Sequence, residues 1–332
     1  MSGDFILLGL AGVIASGAPI VLASIGETIS ERAGVTNLSL NGLIIFSGMM
    51  GFWVAVETDS LFLGFLTGAL VGALVSAIVA FSSITLKQSQ VAVGFILAIT
   101  TRDLAYFLGN PIMGLQGPIM LSTPIPVLNQ IPILGPLFFQ QSIITYASII
   151  LIFVAWFWIY KTRPGLMLQG IGEKPSAAYV RGANVGRMRY FYTILGGTLV
   201  GLAGPLFTLS VKAGWKGTIT GLDGIGWIAL AITIFGGWNP IRVAFGAYFF
   251  AFLQWLGLVL QSSWTFIPSQ VLQVAPFPLM ILTLLLVNLG NTEWVARLLA
   301  TLPDGVRERV KKLIRSLRSQ APAALGTPFE RE

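Results

Sequence analysis

Histidine and cysteine are both absent from this chain of 332 residues. Thiol chemistry, disulfides, zinc centres of the cysteine–histidine type and histidine proton relays are therefore excluded from the start. What remains for chemistry is a small set of amides, carboxylates and basic groups, a few of them inside long apolar runs. Asn37 and Asn41 are four residues apart, which on a helix puts both amides on one face. Such a pair can present donors and acceptors to a polar ligand, or bond a neighbouring helix. Arg102 and Asp103, in ITTRDLAYFLGN, lie two-thirds along an apolar run. An ionisable group in lipid is costly, so the two either offset each other near an interface or line a solute path. Asp223, in GTITGLDGIGWIAL, either caps a helix start or faces an aqueous vestibule. The carboxylates are otherwise scattered singly. There is no G-x-x-x-x-G-K-[ST], no H-E-x-x-H and no paired-aspartate metal motif. An enzyme, an ATPase site, a bound metal or a cofactor held by this chain is not expected, nor is a nucleic-acid partner.

The elements that must position these groups follow from composition. The chain is 55% hydrophobic and 10% charged, with a mean hydropathy of +0.82. Soluble domains carry about 25% charged residues, so the solvent for most of this chain is lipid and the fold class is an all-α polytopic bundle. Its 38 glycines suit close helix approach. Runs of about 20 apolar residues suggest nine crossings, near 5–25, 36–56, 61–82, 89–109, 142–160, 190–211, 223–237, 241–261 and 269–289. The second holds Asn37, Asn41 and several glycines and reads as broken or re-entrant; the seventh is short. No basic stretch precedes the first run, which therefore reads as a membrane helix and not as a cleaved signal.

With nine spans the connections alternate between two sides. Seventeen of the 20 lysines and arginines fall on the side of 26–35, 83–88, 161–189, 238–240 with Arg242, and the C-terminal tail. The opposite side holds Lys212 and Lys216. That asymmetry makes the first side cytoplasmic, with the C-terminus inside and the N-terminus outside. Glu57 and Asp59 occupy an external turn, where solvation accounts for them. The uncharged segment 110–141 has six prolines; it reads as a connector, or as a cover folded along the outer face. The organisation expected is a membrane domain over 1–290 and a basic tail over 291–332. In the tail, Val306, Val310, Leu313, Ile314 and Leu317 would share a helix face suited to an anionic leaflet, and the last dozen residues read as disordered.

One basic stretch remains, GEKPSAAYVRGANVGRMR at 172–189. Pro175 suits a first helical turn, PSAAYVR makes about two turns, and Gly182 suits the position just past a helix end. The rod is about 10 Å long, too short to cross. It either docks into another protein or lies as a solvated loop held at headgroup level by Arg181, Arg187 and Arg189.

The residues around it resemble a known family. GEKPSAAYVRGANVGRMRYFYTILGGTLVGLAG is similar to the cytoplasmic loop and following helix of ABC-importer permeases of the branched-chain amino acid, simple sugar and nucleoside group, which reads G-E-N-P-x-A-A-x-x-x-G-I-x-V-x-x-x-R. GETISERAGVTNLSLNGLIIFSGMMGF and GIGWIALAITIFGGWNPIRVAFGAYFFAFLQ resemble two further segments of that family, in the same order. Lys174 and Ala183 are mild departures. Asn41 stands where the family has Glu, and Ser39 where it has Gly.

The resemblance implies that Glu173, Pro175, Ala177, Ala178, Tyr179, Val180, Gly182 and Val185 form a coupling helix that docks in a cytoplasmic ATPase. ATP and magnesium would be used by that partner. It also implies a second permease chain, identical or related, and an extracytoplasmic binding protein. ISERAGVTN and GGWNP look most like the nucleoside branch. A nucleoside needs hydrogen bonds for its sugar and an aromatic or apolar surface for its base; Asn37, Asn41, Phe46, Trp53 and Trp227 are candidates, although the aromatic ones could equally be interfacial anchors. Ribose and branched-chain amino acids stay open. The alternative is an ion- or proton-coupled carrier, for which Asp103 is the candidate coupling group. A bacterial or archaeal inner membrane is the expected location.

Overall fold

The computed structural model describes residues 3–263 and 321–329, with isolated positions 268, 271, 278 and 282. Among the described residues the chain is helical throughout, with no strand. The order is α1 (Gly3–Arg32), α2 (Leu40–Thr58), α3 (Leu61–Ala80), α4 (Gln90–Leu108), α5 (Leu134–Phe138), α6 (Ile143–Lys161), α7 (Arg163–Glu173), α8 (Pro175–Val180), α9 (Val185–Leu206), α10 (Ile225–Phe235) and α11 (Pro240–Ser263). Eight of the described segments are long and apolar enough to cross a membrane: α1 to α4, α6, α9, α10 with its preceding turn, and α11. The ninth expected crossing, 269–289, lies outside the described residues apart from three isolated positions, as does the expected amphipathic face of the tail.

Local chemistry sets where these helices begin. Ser60, Ser89, Ser142, Thr162 and Asn184 each accept a hydrogen bond from a backbone N–H in the first turn that follows, satisfying donors a helix start leaves open. Small residues then set how closely helices pack. On α3, Gly68 and Gly72 face Gly201 and Gly197 of α9. A Cβ on Gly72 would sit 2.2 Å from the Gly197 carbonyl oxygen, so any larger residue would push the helices apart. Around this pair α1 is buried on all sides over residues 17–31 and touches α6, α9, α10 and α11. Pro19 inside α1 and Pro205 inside α9 are accommodated; α9 relaxes past Pro205 into a wider turn over Phe207–Val211.

The second expected span is neither broken nor re-entrant: α2 is one continuous helix from Leu40 to Thr58, long and apolar enough to cross, and only residues 33–39 before it form a non-helical turn, with Gly34 at φ +88°. The seventh is a half-helix. A 3-10 turn at Gly217–Thr220 and two left-handed glycines, Gly221 and Gly224, precede α10, whose 11 residues rise only about 16 Å. The proline-rich segment 110–141 is folded back as a tethered cover. Gly114 N donates to Trp215 O, Met120 N to Leu209 O, Ile125 N to Phe139 O, and Gln141 Nε2 to Ala11 O.

Three further expectations need correction. Residues 26–32 are not a connecting loop: α1 continues through them, and Glu27 and Glu31 are 1% and 2% exposed. Arg189 is not solvated at headgroup level; it lies in α9 at 2% exposure. The final dozen residues are not featureless, because 321–329 form a turn bound to the basic end of the bundle.

Candidate functional site

Asn41 is the second residue of α2, and Gly226 is the second of α10. The two N-termini abut: a Cβ on Gly226 would lie 2.3 Å from the Asn41 backbone. Between them sits Asp223. Asn41 Nδ2 donates to Asp223 Oδ1 at 2.8 Å, and Gly224 N donates to Asn41 Oδ1 at 2.8 Å. From α4, Arg102 Nε donates to Asp223 Oδ2 at 2.9 Å, and the Tyr106 hydroxyl stands 3.5 Å from the same oxygen. The starts of two helices and one guanidinium thus meet at one carboxylate.

Asp223 therefore does not cap α10, whose N-cap is Gly224 with no side-chain bond. The Arg102 guanidinium pairs across the bundle with Asp223 more closely than with its neighbour Asp103, which lies at 3.5 Å. The side chains of Arg102 and Asp223 are 40% and 38% exposed. Charged groups open on the flank of a membrane helix do not face lipid tails, so this flank faces water or protein beyond the described residues. Beside it, Trp227 and Phe95 form an aromatic pair with centroids 6.3 Å apart, and both are exposed.

The other membrane candidates lie elsewhere. Asn37 is in the turn before α2, not on its face, so the two amides do not share a helix surface. It is 1% exposed; its Nδ2 donates to Ser76 Oγ, and its side-chain oxygen accepts from Ser39 N and Ser39 Oγ. Phe46 and Trp53 are partly buried against the core. Of the five candidates, Trp227 is exposed on α10, Asn41 is buried behind Asp223, Asn37 bonds Ser76 and Ser39, and Phe46 and Trp53 pack against the core.

Sequence reasoning missed a second polar cluster. Glu27 accepts from Asn37 N at 2.9 Å, and Glu31 accepts from Trp238 Nε1. Glu31 lies one helical turn beyond Glu27 on α1. Arg32 closes the cluster, with Nη2 on the Tyr160 hydroxyl at 2.9 Å and Nε on Trp238 O at 3.2 Å. The available signal was the spacing of Glu27 and Glu31, four residues apart like the asparagines.

At the basic end, α8 has Pro175 as its first residue and Gly182 at φ +88° just beyond it. Gly182 N donates to Tyr179 O and Ala183 N to Ala178 O. Glu173, Ala177, Tyr179, Val180 and Gly182 are exposed, Val180 at 85%, while Pro175 and Ala178 are half-buried. Val185 does not share that surface: as the first residue of α9 it is 1% exposed. The result is a short protruding rod with an apolar tip, braced by the amphipathic α7, whose Leu168 and Ile171 are buried.

These features agree with what the chain is similar to. Residues 9–288 match the family model described as branched-chain amino acid transport system, permease component. The guanosine ABC transporter permease protein NupQ of Bacillus subtilis is 33% identical over 283 residues, covering 80% of this chain and 88% of its own. The nucleoside ABC transporter permease protein NupC of Lactococcus lactis is 30% identical over 311 residues, covering 90% and 95%. TsgC13 of Haloferax volcanii, whose assignment to glucose transport is itself provisional, is 34% identical over 257 residues, covering 76% and 78%. No solved structure matches significantly. With a crossing bundle, a half-helix pinned by a charged cluster, a protruding basic-end rod and a family match over most of its length, this chain belongs to the ABC transporter permease family of the branched-chain amino acid transport type, a membrane subunit whose ATPase activity resides in a partner.

Proposed function

We propose that this chain lines the path of an ABC importer for a nucleoside, and that the flank made by Arg102, Asp223, Tyr106, Trp227 and Phe95 meets the solute, with Asn41, buried at 3% exposure, holding Asp223 from behind. The observation that carries this reading is the pairing of Arg102 with Asp223 on an open membrane flank beside two aromatic rings. Because the guanidinium is already matched by a carboxylate, the flank favours a neutral solute with several hydroxyls over a free ion. The Trp227–Phe95 pair offers a planar base a stacking surface. The nucleoside and guanosine names of two relatives point the same way; the simple-sugar reading is the second choice, supported by TsgC13.

The partners in this proposal are two ATPase subunits, which use ATP and magnesium, a second permease chain that closes the open flank, and an external binding protein. The basic end faces the cytoplasm of a bacterial or archaeal cell, and α8 is the coupling helix. Nucleotide-driven closure of the ATPases would displace α8 and switch which side the path opens to. The test is uptake by vesicles containing the assembled transporter, with labelled guanosine, adenosine, glucose and leucine offered in competition. Unlabelled nucleosides should suppress guanosine uptake while glucose and leucine do not. Uptake of glucose or leucine alone would overturn the nucleoside assignment.

A further inference from the structure

Residues 321–329, at the far end of the chain, return to the basic end of the bundle and bind four elements at once. Gly326 N donates to Gly34 O in the α1–α2 turn at 3.1 Å. Ala324 N donates to Gly172 O near the end of α7 at 2.8 Å, and Ala323 N donates to Glu173 Oε2 at 3.3 Å. Thr327 O accepts from Arg189 Nη1 on α9 at 2.8 Å. The Phe329 ring packs on Tyr179 of α8, with centroids 5.8 Å apart. The segment holds its own shape, with Thr327 Oγ1 donating to Ala324 O and Gly326 at φ +76°.

The strongest anchor is Arg189. Its Nε and Nη2 have no acceptor among the described residues, and its Nη1 bond goes to the returning segment. A buried guanidinium is costly unless hydrogen-bonded, so the bond to Thr327 O offsets part of that cost and favours the seated position. The geometry also leaves no slack beneath. A Cβ on Gly34 would lie 2.8 Å from Arg189 Nη2 and 3.1 Å from Ala324 O, and a Cβ on Gly172 would lie 2.2 Å from Arg32 O. The end of α7, the end of α1 and the returning segment are in backbone contact.

We infer that residues 321–329 are a strap that makes α8 and the α1–α2 turn one mechanical body. Displacement of α8 then reaches the turn that carries Asn37 and, just beyond it, Asn41 at the Asp223 cluster. The route is continuous: Tyr179 to Phe329, Gly326 to Gly34, Asn37 at the Glu27 carboxylate, then Asn41 to Asp223. This inference rests on the coupling role proposed for α8, and adds that the C-terminus is part of the transmission.

The test uses the full transporter in vesicles, with four forms of this chain. One ends at residue 320. One carries Gly326→Pro, which removes the N–H bonded to Gly34 O and forbids the positive φ. One carries Ala178→Arg on α8. The last carries Tyr179→Cys with Phe329→Cys, clean because the chain has no other cysteine. A short thiol-to-thiol cross-linker should join residues 179 and 329 in the resting transporter. The truncated and Gly326→Pro forms should still capture the ATPase and hydrolyse ATP, while solute moved per ATP falls about fivefold or more. Unchanged transport per ATP in Gly326→Pro, or no cross-link, would overturn the strap. If the truncated form fails to assemble, Gly326→Pro alone decides. Ala178→Arg should lose ATPase capture. If it captures the ATPase and transports normally, the coupling role of α8 fails, an outcome distinct from failure of the strap.

Discussion

Two carboxylate clusters stand out among the described residues of this bundle, and they differ in how far they are closed off. Glu27 and Glu31 are sealed, and the donors they accept from are fixed in place: the Asn37 backbone and the Trp238 indole. They join the α1–α2 turn to the α10–α11 turn. Asp223 is held by more donors, including a guanidinium, yet its side chain remains 38% exposed. A carboxylate placed only for stability would be closed off like the first pair, since open charge on a membrane helix is costly. The second cluster is left open by the described residues, as the proposed meeting with solute or a second subunit requires. Burial, more than charge, distinguishes the brace from the proposed path.

Substitutions can break that contrast. The largest effect is expected from Asp223→Ala, which removes the acceptor of Asn41 Nδ2 and the nearer of the two carboxylates beside Arg102. A lost acceptor costs about 1–3 kcal/mol, so initial uptake rates should fall about tenfold or more, with the bundle still assembled by size-exclusion chromatography. Glu31→Ala should do the reverse. The buried Trp238 N–H loses its acceptor, and thermal unfolding in detergent should show a loss of about 1–3 kcal/mol with the solute preference unchanged. Glu31→Gln should be milder, because its amide oxygen still accepts. The smallest effect is expected from Asp103→Asn. Its carboxylate is 63% exposed and 3.5 Å from Arg102, and exposed pairs contribute roughly 0–1 kcal/mol, so uptake should change less than about twofold. A large effect there with none at Asp223 would invert the assignment of the path.

Much of this was legible in the sequence, for identifiable reasons. Apolar runs set the crossings because lipid leaves helices few alternatives. The short seventh run foretold the half-helix α10, whereas Asn41 and the glycines did not break the second span, because α2 buries them against its neighbours in one continuous helix. Pro175 and Gly182 fixed both ends of α8 because their backbone constraints are local. What sequence could not supply was pairing across the bundle. Arg102 seemed to belong with its neighbour Asp103, but its closest partner is 121 positions away. Glu27 and Glu31 read as loop residues because charge near a span end ordinarily marks the boundary; here fixed donors from two turns let α1 carry them inward. Residues 321–329 read as disordered from their composition, whereas Arg189, Gly34 and Gly172 supply bonds that no local pattern announces.

The central claim is that this chain is a gate moved by an ATP-hydrolysing partner. It is tested most directly by reconstituting the purified chain in sealed vesicles, with and without that partner, and measuring accumulation of labelled nucleoside against its gradient. Accumulation is expected only when the partner and ATP are both present, and it should persist when ion gradients are collapsed by ionophores. Uphill accumulation by this chain alone, driven by a proton or sodium gradient, would contradict it.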